Sequence, residues 1–108
     1  MEWTAESLPA SVLPGFGFTS SSVPYKWLLE VLLDFGATQR TAFVQFCTGA
    51  SSLPRGATVT VDRSDNAHAL PTARTCTQCL RLPHYQTKDM LRHNLLLAIE
   101  HRSGFELS

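Results

Sequence analysis

The chain has 108 residues with nine Lys plus Arg, nine Asp plus Glu and three cysteines, and its formal net charge is zero. That balance leaves no basic excess to neutralise phosphates, which sets nucleic acid aside as a partner, and no run approaches the ~18 apolar residues of a membrane span. The opening Met1-Glu2-Trp3-Thr4 lacks the character of a signal peptide, and an odd number of cysteines fits free thiols in a reducing compartment, the cytoplasm or nucleus. Length and the 44% apolar content suit one domain with a modest core.

Residues 1–22 read as a linker or divergent N-terminal tail, because Pro9, Pro14, Gly15, Gly17 and the run Thr19-Ser20-Ser21-Ser22 interrupt any periodic pattern. Trp3, Phe16 and Phe18 are too apolar for a fully solvated tail, so part of it is expected to dock. From Val23 the pattern turns helical. Val23, Trp27, Leu28, Val31, Leu32 and Phe35 share one face, Pro24 suits a first turn and Gly36 is placed to end the helix. A second helix is expected from an N-cap at Thr38, burying Ala42, Phe43, Phe46 and Cys47. The small-residue stretch from Thr48 to Gly56 lacks the Lys-Ser/Thr ending of a phosphate loop and reads as a connection.

Ala57-Thr58-Val59-Thr60-Val61 alternates with period two and predicts a half-buried strand. Asp62 to Ala69 is polar turn material carrying His68. Leu70-Pro71-Thr72-Ala73-Arg74-Thr75-Cys76 then reads as a slim, proline-stiffened loop ending in a thiol, and Thr77 to Pro83 as a short strand. Thr87 is a good N-cap with Asp89 in the first turn. The helix behind it buries Leu91, Leu95, Ala98 and Ile99, and Gly104 is expected to end it. Phe105 is an aromatic in a tail that would otherwise fray.

Three constellations compete for Cys76, the first being its pairing with Cys79 as a metal site or a redox couple. Cys76-Thr77-Gln78-Cys79 supplies only two of the four ligands that structural zinc needs, and a redox pair should open a helix, whereas strand follows here. In that strand Cys79 is a packing residue. A Cys–His hydrolase would pair Cys76 with His68, His84, His93 or His101, and no spacing singles one out. The third is a cysteine that accepts an acyl group as a thioester and passes it on. That role needs an open approach to the sulfur, and the nearby Arg74, Arg81 and His84 would favour its charged form. Spacing alone leaves the three open.

The motifs carry further. Leu70-Pro71-x-Ala73-Arg74-Thr75-Cys76, then Leu80 and Leu82-Pro83-x-Tyr85, resembles the active-site signature of HECT-type ubiquitin ligases, Leu-Pro-x-Ala-His-Thr-Cys followed by Phe-Asn-x-Leu-x-Leu-Pro-x-Tyr. Trp27-Leu28-Leu29-Glu30-Val31 resembles the first helix of the family's C-terminal lobe. Phe43-x-Gln45-Phe46-x-Thr48-Gly49-x-Ser51-x-x-Pro54 resembles its Phe-x-Gln-Phe-x-Thr-Gly-x-Ser-x-x-Pro segment. Leu91-Arg92-x-x-Leu95-Leu96-x-Ala98-Ile99 and Gly104-Phe105-x-Leu107-Ser108 resemble its final helix and tail. The resemblance covers roughly residues 23–108.

It implies a small α/β (α+β) lobe with a small mixed sheet flanked by helices, and a ubiquitin-protein transferase. By resemblance Cys76 is the nucleophile that takes ubiquitin from a conjugating enzyme as a glycyl thioester. The ubiquitin then passes to a lysine of a protein substrate. Thr75, Arg74 and Phe105 would support the transfer, with no cofactor and no metal. Arg74 stands where the family has His, Thr77-Gln78 replace Phe-Asn, and Arg81 occupies a place often held by an acidic residue. Residues 1–22 resemble neither the family's larger N-terminal lobe nor its hinge. The expectation is therefore a truncated form without the lobe that recruits the conjugating enzyme. The alternative is a non-catalytic binding module for ubiquitin or a ligase.

Overall fold

The computed structural model describes residues 3–50, 56–65 and 69–107, with backbone alone from His101 to Leu107. The chain enters through a short helix, α1 (Leu8–Ser11), whose first turn holds Pro9, and runs directly into strand β1 (Val12–Pro14). Leu8, Val12 and Phe18 are buried in the core, and Trp3 packs edge-on against Phe43 at 6.0 Å. Residues 8–14 are thus built into the domain, which corrects the reading of 1–22 as a tail or linker. Docking holds for Trp3 and Phe18. Phe16 instead is 85% exposed.

Helix α2 (Val23–Asp34) places Pro24 in its first turn and buries Tyr25, Leu28, Val31 and Leu32. The Tyr25 hydroxyl donates to the Val12 carbonyl at 2.7 Å, tying α2 to β1. Trp27, expected in the core, is only half-buried. The helix ends where Phe35 turns extended, and Gly36 serves as N-cap of helix α3 (Ala37–Thr48) in place of the expected Thr38. The Gly36 N–H donates to Gln39 Oε1 at 3.2 Å, which satisfies one donor at the entrance to α3. Phe43, Phe46 and Cys47 are buried as their spacing predicts, together with Val44.

Strand β2 (Val59–Ser64) runs further than the alternating pattern alone suggested, taking in Asp62, Arg63 and Ser64. Thr72–Arg74, read as loop, forms strand β3, and Cys79–Pro83 forms β4. The sheet order is β1-β2-β4-β3, with β1, β2 and β4 parallel and β3 antiparallel to β4. This is the small mixed sheet that the resemblance implied. Helix α4 (Lys88–Leu107) continues through Gly104, correcting the expectation that Gly104 ends it. Its N-cap is Thr87 as predicted, the Oγ1 accepting the Met90 N–H at 3.1 Å.

Pleating gives the sheet two unlike faces. Val12, Val59, Val61, Leu80 and Leu82 lie against α2, α3 and α4 and join Leu28, Phe43, Leu91, Leu95 and Ile99 in one core. Each such side chain contributes about 1.5–3 kcal/mol when fully buried. The alternate residues Leu13, Thr60, Asp62, Arg74, Cys79 and Arg81 line the opposite face by register. The β1–β2 edge is close-fitting. A Cβ on Gly15 would run into Asp62 and Thr60, while its N–H donates to the Val61 carbonyl at 2.7 Å. Among the described residues no helix is long and apolar enough to cross a membrane.

Candidate active-site hairpin

The thiol at Cys76 owes its position to a frame that is fixed at both ends. Before β3, the buried Tyr85 hydroxyl donates to the Ala69 carbonyl at 2.6 Å, which holds the approach to Leu70 and Pro71. Burial pushes the Tyr85 pKa up to about 12, so this donor keeps its proton across the physiological range. β3 then pairs antiparallel with β4, Thr72 opposite Arg81, Ala73 opposite Leu80 and Arg74 opposite Cys79. Between Arg74 and Cys79 the chain reverses through Thr75–Gln78. The Thr77 N–H donates to the Arg74 carbonyl and the Gln78 N–H to the Thr75 carbonyl, both at 3.3 Å.

Gln78 takes the left-handed conformation, φ 53°, that brings the chain back into β4. Its carbonyl accepts the Thr60 N–H at 3.0 Å, so the base of the turn is tied to β2. On the other side, Gly49 ends α3 at φ 81°, a conformation suited to glycine. Its open Cα position faces the Thr75 side chain, 3.8 Å from where a Cβ would sit. The Thr48-Gly49 motif therefore abuts the residue before Cys76.

Cys76 sits in this turn with its side chain exposed, flanked by the small residues Thr75 and Thr77. Arg74 is exposed at the end of β3 and Thr75 is half-buried. These three are brought together; the Phe105 side chain lies outside the described residues, as do His68 and the side chain of His101. His84 and His93 are exposed, and among the described residues no histidine hydrogen-bonds Cys76. The arrangement presents a sulfur with open approach and no base attached.

Cys79 is its opposite. It is 7% exposed, and its Sγ donates to Asp62 Oδ2 at 3.3 Å. Burial above all, and then the Asp62 carboxylate it donates to, pushes this thiol's pKa upward. It is a packing residue of the strand, as its position predicted. Cys47 is buried in α3. Among the described residues there is no cluster of three or more His, Cys, Asp or Glu side chains of the kind that holds a metal.

Beside the hairpin, on the sheet face away from the helices, lies an open depression of about 490 Å³. Arg74 and Arg81 line it with Phe16, around a floor of Asp62 and Cys79, and Arg63, whose register partner is Leu82, borders it from the end of β2. Sequence reasoning missed Phe16, Asp62 and Arg63, because only the strand order β1-β2-β4-β3 brings their segment beside the hairpin that carries Arg74 and Arg81.

The HECT-domain (ubiquitin-transferase) family profile matches residues 2–108, further toward the N-terminus than the motifs from 23 onward. The chain is 37% identical over 105 residues to the E3 ubiquitin-protein ligase UPL4 of Arabidopsis thaliana, covering 85% of this chain and 7% of that protein. It is 33% identical over 114 residues to the E3 ubiquitin-protein ligase Ufd4 of Drosophila melanogaster, covering 98% of this chain and 4% of that one. With the E3 ubiquitin-protein ligase TRIP12 of Danio rerio it shares 34% over 119 residues, covering 98% and 6%. The chain thus spans only a small part of the length of these relatives.

Proposed function

Because the chain belongs to the HECT-domain family of ubiquitin transferases, we propose that Cys76 carries ubiquitin as a thioester and passes it to a lysine of a protein substrate. The observation that carries this reading is an exposed Cys76 at a turn whose base is tied to β2 through Thr60, in a hairpin whose approach Tyr85 anchors at Ala69.

In the first step the Cys76 thiolate attacks the carbonyl carbon of the glycyl thioester on a conjugating enzyme. One C–S bond forms as another breaks, and the conjugating enzyme's cysteine leaves as a thiolate. In the second, a substrate lysine amine attacks the new thioester, loses a proton and forms an isopeptide bond as Cys76 departs. Splitting the transfer in two is ordinary covalent catalysis, and thioester for thioester exchange is close to energetically level. The small neighbours Thr75 and Thr77 leave room for both approaches. Arg74 brings positive charge to the turn where the family pattern has His. A guanidinium does not give up its proton near neutral pH, so in this chain that position orients and attracts rather than shuttling protons. The lysine's proton therefore leaves to water or to a group on a partner.

Recruitment of the conjugating enzyme is assigned to a separate surface, the family's larger N-terminal lobe, and the cytoplasm is the compartment proposed for the reaction. The test is a charging assay with activating enzyme, several conjugating enzymes, ATP and ubiquitin, with and without a separately supplied N-terminal lobe. A thiol-sensitive band one ubiquitin heavier, absent in Cys76→Ala, supports the reading. Folded protein that never forms that band under either condition would leave a non-catalytic binding module as the better account.

A further inference from the structure

The depression beside the hairpin holds three arginines against a single carboxylate, Asp62. Among the described residues the ion pairs are Lys88 with Glu30 at 3.3 Å and Arg92 with Asp34 at 3.7 Å, both between α2 and α4. The one acid in the depression, Asp62, is already engaged through both oxygens. Its Oδ1 accepts the Phe16 N–H at 2.8 Å and its Oδ2 accepts the Cys79 thiol at 3.3 Å. Arg63, Arg74 and Arg81 are exposed and lack a carboxylate partner among the described residues. A guanidinium offers five donors in a fork that fits a carboxylate, so three of them around one depression form a set of donors suited to carboxylates. The whole chain has zero net charge, and this clustering is therefore local.

The fourth wall is apolar and stands on a fixed backbone. Phe16 is 85% exposed, yet its backbone is clamped to β2 on both sides. Its N–H donates to Asp62 as above, and its carbonyl accepts the Arg63 N–H at 2.8 Å. Holding a large ring in solvent on a fixed backbone leaves little entropy to lose when something packs on it. Arg74 and Thr77 line the depression and flank Cys76 in sequence, so its rim and the thiol share one turn.

We propose that this depression docks an acidic segment of the acceptor protein, its carboxylates on Arg63, Arg74 and Arg81 and an apolar side chain on Phe16, so that a nearby lysine is delivered to Cys76. The role as acceptor site rests on the thioester reading above; the docking itself does not. Two of the three arginines, Arg74 and Arg81, stand where the family pattern carries His and an acidic residue, so the preference belongs to this chain rather than to the shared signature.

The test separates the two layers. Binding is measured by fluorescence polarisation on the full chain carrying Cys76→Ala, with a labelled peptide of Glu residues around one Lys and one Leu. The same peptide with Gln for Glu, and one with phosphoserine at equal charge, are the comparisons. The Glu peptide is expected to bind at least about tenfold tighter than the Gln peptide and to weaken in ~0.3 M salt. R63E/R81E should lose that difference, R63Q/R81Q most of it and F16S part of it. Lys26→Glu, an exposed change on α2, should leave it intact, and circular dichroism checks folding throughout. Equal binding of the Glu and Gln peptides, or binding indifferent to R63Q/R81Q, overturns the proposal. A tenfold preference for phosphoserine overturns the assignment to carboxylates.

In the second arm, ubiquitin-charged protein is offered the two lysine peptides, and faster discharge onto the Glu peptide is expected. Charging with equal discharge onto both overturns this inference and leaves the thioester reading standing. Selective binding with no charging does the reverse.

Discussion

Cys76 and Cys79 are three positions apart in one hairpin, and the fold gives them opposite properties. At the turn, Cys76 is exposed between two threonines and bonded to nothing among the described residues. At the base, Cys79 faces Asp62, where burial and a carboxylate acceptor keep it a neutral thiol. Sequence composition makes them look like a pair. Strand register separates them, because Cys79 is paired with Arg74 and Thr60 while Cys76 lies in the unpaired reversal. Residue type alone therefore decides little about thiol chemistry; the position relative to the end of the ladder decides most of it.

The sharpest way to break that contrast is thiol labelling. A maleimide is expected to modify Cys76 in the native protein, while Cys79 and Cys47 react only as fast as the fold opens. Comparable native labelling of Cys79, followed by peptide mass spectrometry, would remove the distinction. Next in size is the covered side of β4. Leu80→Ala should cost about 2–5 kcal/mol in chemical denaturation, since Leu80 is fully buried. Thr77→Ala at the turn should stay within ~0.5 kcal/mol.

A smaller effect falls on the frame. Tyr85→Phe deletes the donor to the Ala69 carbonyl and should cost ~1–2 kcal/mol. Smaller still is an alkaline signature. Tyr85 is held neutral in the folded state, with its pKa raised from 10.0 to about 12. Its contribution is complete below 10.0 and is lost as the pH rises toward about 12. Cys79, raised from 9.0, starts the same decline somewhat earlier. Denaturation midpoints should thus fall above pH 9.0, and less steeply in Tyr85→Phe than in the parent chain. An unchanged slope in that variant would show that its hydroxyl is not the titrating group.

The sequence carried the helices and the thiol well. The apolar stripes of α2, α3 and α4, the N-cap Thr87 and the slim run into Cys76 are local signals, readable within a few turns. It carried the N-terminal edge of the sheet poorly. β1 has three residues, contains Pro14, and gains its meaning from pairing with Val59 to Val61, far along the chain. Gly15, which looks like a breaker, is in fact the close approach of β1 to β2. β3 failed for the same reason, three residues being too few for an alternation. The basic depression was out of reach altogether, since Arg63, Arg74 and Arg81 come from three strands that only the strand order of the sheet brings side by side. Phe105, whose side chain the structure does not describe, keeps the role that resemblance alone suggests.

On the proposed function, ubiquitin is carried on Cys76 and on neither of the other two thiols. The most direct measurement is peptide-level mass spectrometry of the charged species, trapped at low pH and digested before any reduction. A ubiquitin-derived remnant is expected on the peptide bearing Cys76, with Cys47 and Cys79 unmodified. A remnant on Cys79 or Cys47, or charging that survives Cys76→Ala, would contradict it.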